Sequence, residues 1–591
     1  MTTVIPNVFV PGTKAKAEEV NENFTVLADA LNSQETAIDD KVTEALESIN
    51  QLKADILAEI EATGINNKAN KNFDNVTWDS LSPEAKAFFN KYGLAPSYVK
   101  HKTILDVENG YSLKWTDPDD TVVNGETMVK WTKSVIVRKA GSYPQHIEDG
   151  TVVATCTTRN EHSENALIDE IADKTPDYKY RVFPVSENGI YSMSEQNKFG
   201  VWEYAFCEED NESIPSKRIT YLDCNANFKP AVMNFTSGKI NLGDWEGSPF
   251  FDLDYIKPVM LNFDGSILEE LDPNDHTKTV EGTASHVADT TCNANAMVKK
   301  RGIFVKKVVN GTKTTYYLTN EAKEGYKCYS TLKSDGTHNE FYYTPIYDGA
   351  LVGDKIRSLS GLTPISGKTA QQEINFARAN GAEWETELFC DDELERIIFK
   401  LIFKSTDSQS VLGQGKSNGG DNVGACLKSG TMNTKGHTWG SSSTAEGVKF
   451  RYRENFYGSQ WKRSEGIVII NGVPYVKETK HTADGSTSVG FNITGAGYIA
   501  MADVPQTTGS SGGYISKTVT NEHCTMSTVV SGSSSTFIPD GRWFNSSGTM
   551  YPYRGGCSDN GALCGGFAFA SGNAPSLAAW SIGASLSYRP S

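Results

Sequence analysis

The spacing of apolar residues changes once along this 591-residue chain, near residue 100, and that change constrains the fold more than any single motif. Over 14–62, Val20, Phe24, Leu27, Leu31, Gln34, Ile38, Val42, Ala45, Ile49, Leu52 and Ile56 recur every three or four residues without a proline, a heptad seam with one irregularity between Ile38 and Val42. The seam predicts an α-helical coiled-coil shaft over 14–63, a rod of about 70 Å whose opposite face is Glu, Asp and Lys. Nothing local offers a matching apolar surface, so the rod is expected to self-associate, with two, three or four strands all open. A proline-interrupted leader, 1–13, reads as a docking peptide, and 64–100 as a connector with a short helix opening at Ser82-Pro83.

From residue 101 the period becomes two. Tyr111-Ser-Leu113-Lys-Trp115, Val135-Ile-Val137, Thr151-Val-Val-Ala-Thr155 and Tyr178-Lys-Tyr180-Arg-Val182 alternate between turn signals such as Asn124-Gly125 and Asp149-Gly150, the pattern of a β-sandwich over 101–196. Residues 197–284 read as an acidic, β-rich lead-in domain. In 285–591, helices are expected from Thr369 to about Asn380 and from Asp391 to Phe403, with short strands and loops crowded with Gly, Ser, Asn and Trp after them. Glycine (52) outnumbers proline (21), which with abundant Tyr and Phe favours turn-rich β structure.

Composition removes several function classes. Lys plus Arg is 56 against 73 Asp plus Glu, a net charge of −17, which argues against general affinity for nucleic acid or anionic membrane. No apolar run approaches the ~18 residues of a spanning helix. The ten cysteines are scattered, without CxxC or paired histidines at zinc spacing, so no metal and no cofactor are expected. Without a secretory pattern at the N-terminus, assembly in a reducing cytoplasm with free thiols is expected.

Catalytic motifs are equally sparse. Gly361-Leu-Thr-Pro-Ile-Ser-Gly367-Lys368-Thr369 has five residues between its glycines where a phosphate-binding loop needs four, and Gly415-Lys416-Ser417 has Ser410 in place of the first glycine. No HExxH, no G-x-S-x-G elbow and no kinase set occurs. Acidic pairs such as Asp391-Asp392 are read as solvated turns or helix starts rather than glycosidase carboxylates, and the chain as not an enzyme.

Two resemblances add to this reading. Over about 101–196, Trp115 and Tyr178-x-Tyr180-x-Val182 resemble the buried tryptophan and penultimate strand of a fibronectin type III module, which implies a spacer. At the other end, Arg554-Gly-Gly, Asn560-Gly561, Gly565-Gly566-Phe567, Asn573-Ala-Pro575-Ser576, Trp580-Ser-Ile582-Gly583 and Leu586-Ser-Tyr588-Arg589 resemble the C-terminal C-type-lectin domain of tailed-phage receptor-binding proteins, including the variable proteins of diversity-generating retroelements. Lys355–Ser360, Thr369–Glu373, Asn380–Trp384 and Phe456–Trp461 resemble the same long form, so the likeness spans about 285–591.

The fold class thus expected is multidomain: a coiled coil, a fibronectin-like β-sandwich and an α/β lectin-like head. The resemblance implies that Tyr553, Cys557, Ser558, Asp559, Leu563, Cys564, Ser571, Leu577, Ala579 and Ser581 form the ligand face, with Trp543, Phe567, Phe569, Trp580 and Ile582 building the core beneath it. Cys557, Leu563 and Ala579 hydrogen-bond less readily than the Asn or Tyr the resemblance implies, so a protein or mixed receptor is as consistent as a sugar, and the missing Glu-Pro-Asn and Gln-Pro-Asp triplets argue against calcium-mediated sugar recognition. The implied protein is a phage tail fibre or receptor-binding protein, a homotrimer joined to the virion tail by its N-terminus and binding a bacterial surface receptor. A polysaccharide depolymerase and a non-binding tail or baseplate protein are the alternatives.

Overall fold

The computed structural model describes residues 95–123, 126–194, 197–420, 422–479, 490–506 and 510–590. The docking leader, the shaft at 14–63 and most of the 64–100 connector lie outside the described residues.

Residues 99–199 form two facing three-stranded sheets, compatible with the sandwich expected there. One orders Lys100–Val107, Gly110–Thr116 and Leu167–Glu170, the other Thr151–Cys156, Trp131–Ala140 and Tyr178–Ser186. Period-two alternation turns Leu113, Trp115, Ile136, Cys156, Tyr180 and Val182 into the space between them, where with Phe199 they make one apolar core. A single helical turn, α1 (Glu161–Glu164), closes one end of this module.

The residues after 200 are woven into one body, in which the lead-in shares its sheets with the C-terminal part of the chain. Strands Glu203–Glu209 and Ile219–Leu222 pair on through Lys313–Thr319 to Phe304–Asn310. Ile256–Asn262 pairs with Ala294–Arg301, which pairs with Phe341–Pro345. The last strand, Leu586–Tyr588, is inserted between Phe341–Pro345 and Trp384–Thr386, so the chain ends inside a sheet. A second six-stranded sheet orders Ser510–Ile515, Ile538–Asn545, Phe569–Ser571, Tyr553–Arg554, Trp461–Arg463 and Ile582–Gly583.

Both expected helices form. In α2 (Ala370–Arg378), Thr369 is the N-cap and exchanges hydrogen bonds with Gln372 in a capping box, so the Gly-Lys-Thr triplet there is a helix start. In α3 (Phe389–Phe403), every residue but Cys390 is buried, and the helix stops where Lys404 takes a left-handed φ of 51°. A short α4 (Ser408–Leu412) comes next, capped by Asp407.

The expected fold class is corrected. The described protein is mostly β-sheet: its four α-helices span 4, 9, 15 and 5 residues, and none is a long helix able to form the N-terminal coiled coil. A heptad seam specifies a stable helix only together with partner helices. The expected α/β head is β-rich as well. Its glycines, serines and asparagines favour turns between short strands, and α3 is a buried rod wrapped by sheets on all sides.

Candidate functional site

The C-terminal surface is built from glycine upward. Trp543 lies in Ile538–Asn545 opposite Gly512 of the neighbouring strand, with Gly541 two residues before it on the same face. A Cβ on Gly512 would come within 2.6 Å of the indole, and one on Gly541 also within 2.6 Å, so the ring lies flat across two bare backbones. Trp461 meets Trp543 edge-on at 5.3 Å between centroids and Tyr553 at 5.2 Å. Leu577, Ala579, Trp580 and Trp543 pack half-buried against this group, leaving a shallow aromatic and aliphatic face open to solvent.

The loop carrying Leu577 to Ser581 is held from behind. Buried Arg463 donates to the Leu577 carbonyl at 2.6 Å and the Lys368 carbonyl at 2.9 Å, while its Nε donates to Glu373 at 2.7 Å. Gln460 donates to the Trp580 carbonyl at 3.0 Å, and the Trp461 amide to the Ser581 carbonyl at 2.8 Å. Burial pushes the Glu373 carboxyl up to about 7 against the pull of Arg463. With its carbonyls satisfied inward, the loop projects side chains outward from fixed positions.

The ten expected ligand-face residues divide evenly. Asp559 is exposed, and Leu563, Leu577, Ala579 and Ser581 are half-buried at the surface. Tyr553, Cys557, Ser558, Cys564 and Ser571 are buried. Tyr553 packs edge-on against Trp461 and is hydrogen-bonded by Asn573, and Ser558 Oγ donates to the Gly420 carbonyl at 3.3 Å. Ser571 Oγ donates to Gln506 at 2.7 Å, and the Cys564 thiol to the Gly555 carbonyl at 3.1 Å. The Cys557 thiol, pushed up to about 12 chiefly by burial, points at Asn560 and Asp559. Of these five, Tyr553 and Cys557 pack in the cluster beneath the face.

Of the residues expected in the core, Phe567, Phe569 and Ile582 are buried, whereas Trp543 and Trp580 are half-exposed and belong to the face. The signal for Trp543 was present as Gly541-x-Trp543, a glycine on the tryptophan's own side of the strand. Its second support, Gly512, becomes a neighbour only through strand pairing.

Under the face lies a lattice of buried charges. Arg554 pairs with Glu387 at 2.9 Å and Asp392 at 2.7 Å, Arg453 with Glu387 at 3.1 Å and Asp348 at 2.9 Å, and Arg451 with Glu395 at 2.8 Å. Asp391 and Asp392, expected as a solvated turn or a helix start, lie in the first turn of α3 and are buried there against Arg589, Arg396 and Arg554. The Arg453 and Arg554 charges hold Glu387 below the usual carboxylate range despite its burial. Two small clefts of about 40 and about 20 Å³ lie along α3, room for ordered water and not for a sugar ring.

No family model matches this chain, and no curated protein matches it.

Proposed function

We propose that this chain is a receptor-recognition protein of the kind tailed phages carry, and that the face around Trp543 and Leu577 engages a protein or glycan on the bacterial surface. The observation that carries this reading is the half-exposed face made by Trp543 of the strand Ile538–Asn545 with Leu577, Ala579 and Trp580 of a loop whose carbonyls are tied inward by Arg463 and Gln460. Rigid aromatics of that kind give contact area at little entropic cost, and a fixed loop loses little freedom on binding. The terminal motifs from Arg554 to Arg589, similar to those of phage receptor-binding proteins, supply the biological class. Recognition without bond cleavage, a place on the virion tail through the N-terminus, and a homotrimer that turns weak contacts into avidity belong to the same proposal.

The test is binding of the fluorescent full-length protein to a broad panel of bacteria, comparing wild type with Asp559→Arg plus Leu577→Arg. Selective binding lost in the double variant supports the proposed face. Binding that survives moves the site elsewhere. Shedding of surface polysaccharide from treated cells would replace this reading with a depolymerase.

A further inference from the structure

Among the described residues two groups of side chains are spaced as metal ligands could be, and linear spacing hid the one that contains a cysteine. Cys156 ends the strand Thr151–Cys156, and Glu161 and His162 open α1. One ligand atom from each of the three lies within 4.8 Å of the others. We propose that Cys156, Glu161 and His162 bind a borderline-soft divalent cation of the zinc class, with a coordination position left open to solvent on the side of the exposed Glu161.

Three features of the module support this. First, His162 Nδ1 sits 3.0 Å from the Asn165 carbonyl, which only accepts, so Nδ1 carries the proton and Nε2 keeps its lone pair free. A backbone carbonyl fixing one imidazole nitrogen while the other faces a metal is the usual arrangement behind a histidine ligand. The ring also packs on Trp115 at 4.9 Å.

Second, the turn that presents Glu161 and His162 is clamped independently of any metal. The Asp117 amide donates to Asn160 Oδ1 at 2.8 Å, and the Asn160 amide donates back to Asp117 Oδ2 at 2.8 Å. Asp117 Oδ1 is anchored by Trp115 Nε1 at 2.9 Å and Ser134 Oγ at 2.5 Å. Asn160 itself takes a left-handed φ of 60°, which starts the chain into α1 just ahead of the two ligands.

Third, the donor set itself suits one class of ion. Thiolate, imidazole and carboxylate together select zinc-like ions over calcium or magnesium. Tetrahedral zinc spaces its ligand atoms by about 3.5 Å, so closing the site takes roughly 1 Å of movement, available to the exposed Glu161 side chain. The other such group among the described residues, Glu478, Glu522 and His523, contains no sulfur, and its histidine is already 2.7 Å from Glu478.

The experiment loads the full-length protein with Co²⁺ or Zn²⁺ under reducing conditions, removes free metal and measures metal content and the cobalt spectrum. One equivalent of retained metal and a thiolate-to-cobalt charge-transfer band are expected. Cys156→Ser abolishes the band, and Cys207→Ser, a half-exposed thiol elsewhere, leaves it intact. Because Cys156 is a core residue, the exposed Glu161→Gln serves as the second variant and weakens cobalt binding at least tenfold with unchanged circular dichroism. Absence of retained metal in the wild type, or a band indifferent to both Cys156→Ser and Glu161→Gln, overturns the proposal.

Discussion

The sandwich at 99–199 and the body after residue 200 solve the same problem, burying a β-rich core, with opposite chemistry. The sandwich core is apolar, and charge pairs such as Lys100–Asp119 and Lys139–Asp149 sit at its rim with side chains partly in water. The body threads α3 through its centre, so Asp392, Glu393, Glu395 and Lys400 have no route to solvent. Glu393, Glu395 and Lys400 instead meet partners from distant strands: Glu395 takes Lys300 and Arg451, Glu393 takes Lys307, and Lys400 takes Glu208. Buried pairs add little net stability, but a wrong strand on the helix would leave a charge unpaired. Area and shape therefore hold both regions, and in the body matching charges additionally fix which strand lies where.

The largest test of this contrast removes one partner from the lattice. Glu395→Ala leaves Lys300 and Arg451 buried without their carboxylate and should cost about 3–5 kcal/mol. Urea unfolding monitored through the body's tryptophans checks it, and a loss below about 1 kcal/mol would break the comparison.

A second test uses pH. Asp540 is fully buried, and burial pushes its carboxyl up to about 8 although Ser408 and the Phe567 amide donate to it. Because the folded value lies above the unfolded one, the native state holds the extra proton between about 4 and 8. This group's contribution is therefore full at low pH and is lost as pH rises through that window. Relative to wild type, Asp540→Asn should gain on the order of 4 kcal/mol between pH 5 and 8 and then level off. Thermal melts of both proteins across that range, showing parallel curves, would remove the assignment.

In the sandwich, Ile136→Val trims one methylene from a fully buried side chain and should cost about 1 kcal/mol. Only the transition reporting on 99–199 should move, which sharpens the distinction between the regions. The smallest effect belongs to the rim: Lys139→Ala removes a partly solvated pair with Asp149 and should change stability by less than about 0.5 kcal/mol, further reduced in high salt. A larger loss would place charge pairing among the sandwich's main supports.

Local pattern carried much of the secondary structure. The alternations at 111–115, 135–137, 151–155 and 178–182 lie within strands, and the helices expected from Thr369 and Asp391 begin at Ala370 and Phe389. Burial at the ten expected ligand-face positions was not legible, because a short side chain such as Ser571 or Ser581 looks the same in sequence whether it bonds Gln506 inside or stands at the surface. Trp543 and Trp580 read as core in the sequence because a tryptophan's size argues for burial, whereas Gly512 and Gly541 give Trp543 a flat seat near the surface. The expected α/β head gave way to a β-rich body for a related reason. Periodicity shows which face of a segment is apolar and is silent on whether anything exists to cover it.

Sequence alone determined what depends on near neighbours: the change of apolar period near residue 100, the alternation that fills the sandwich core, the Thr369 capping box and the excess of acidic charge. The tertiary structure alone decided what depends on contacts across many residues. It inserted Leu586–Tyr588 into a sheet begun far upstream, paired Arg554 with Glu387, tied the Leu577 carbonyl to Arg463, and turned a strand end and a helical turn so that Cys156 faces Glu161 and His162. The physical reason is that propensity and periodicity act within a few residues, whereas burial of a charge or the meeting of three ligands is settled only when distant strands take their register.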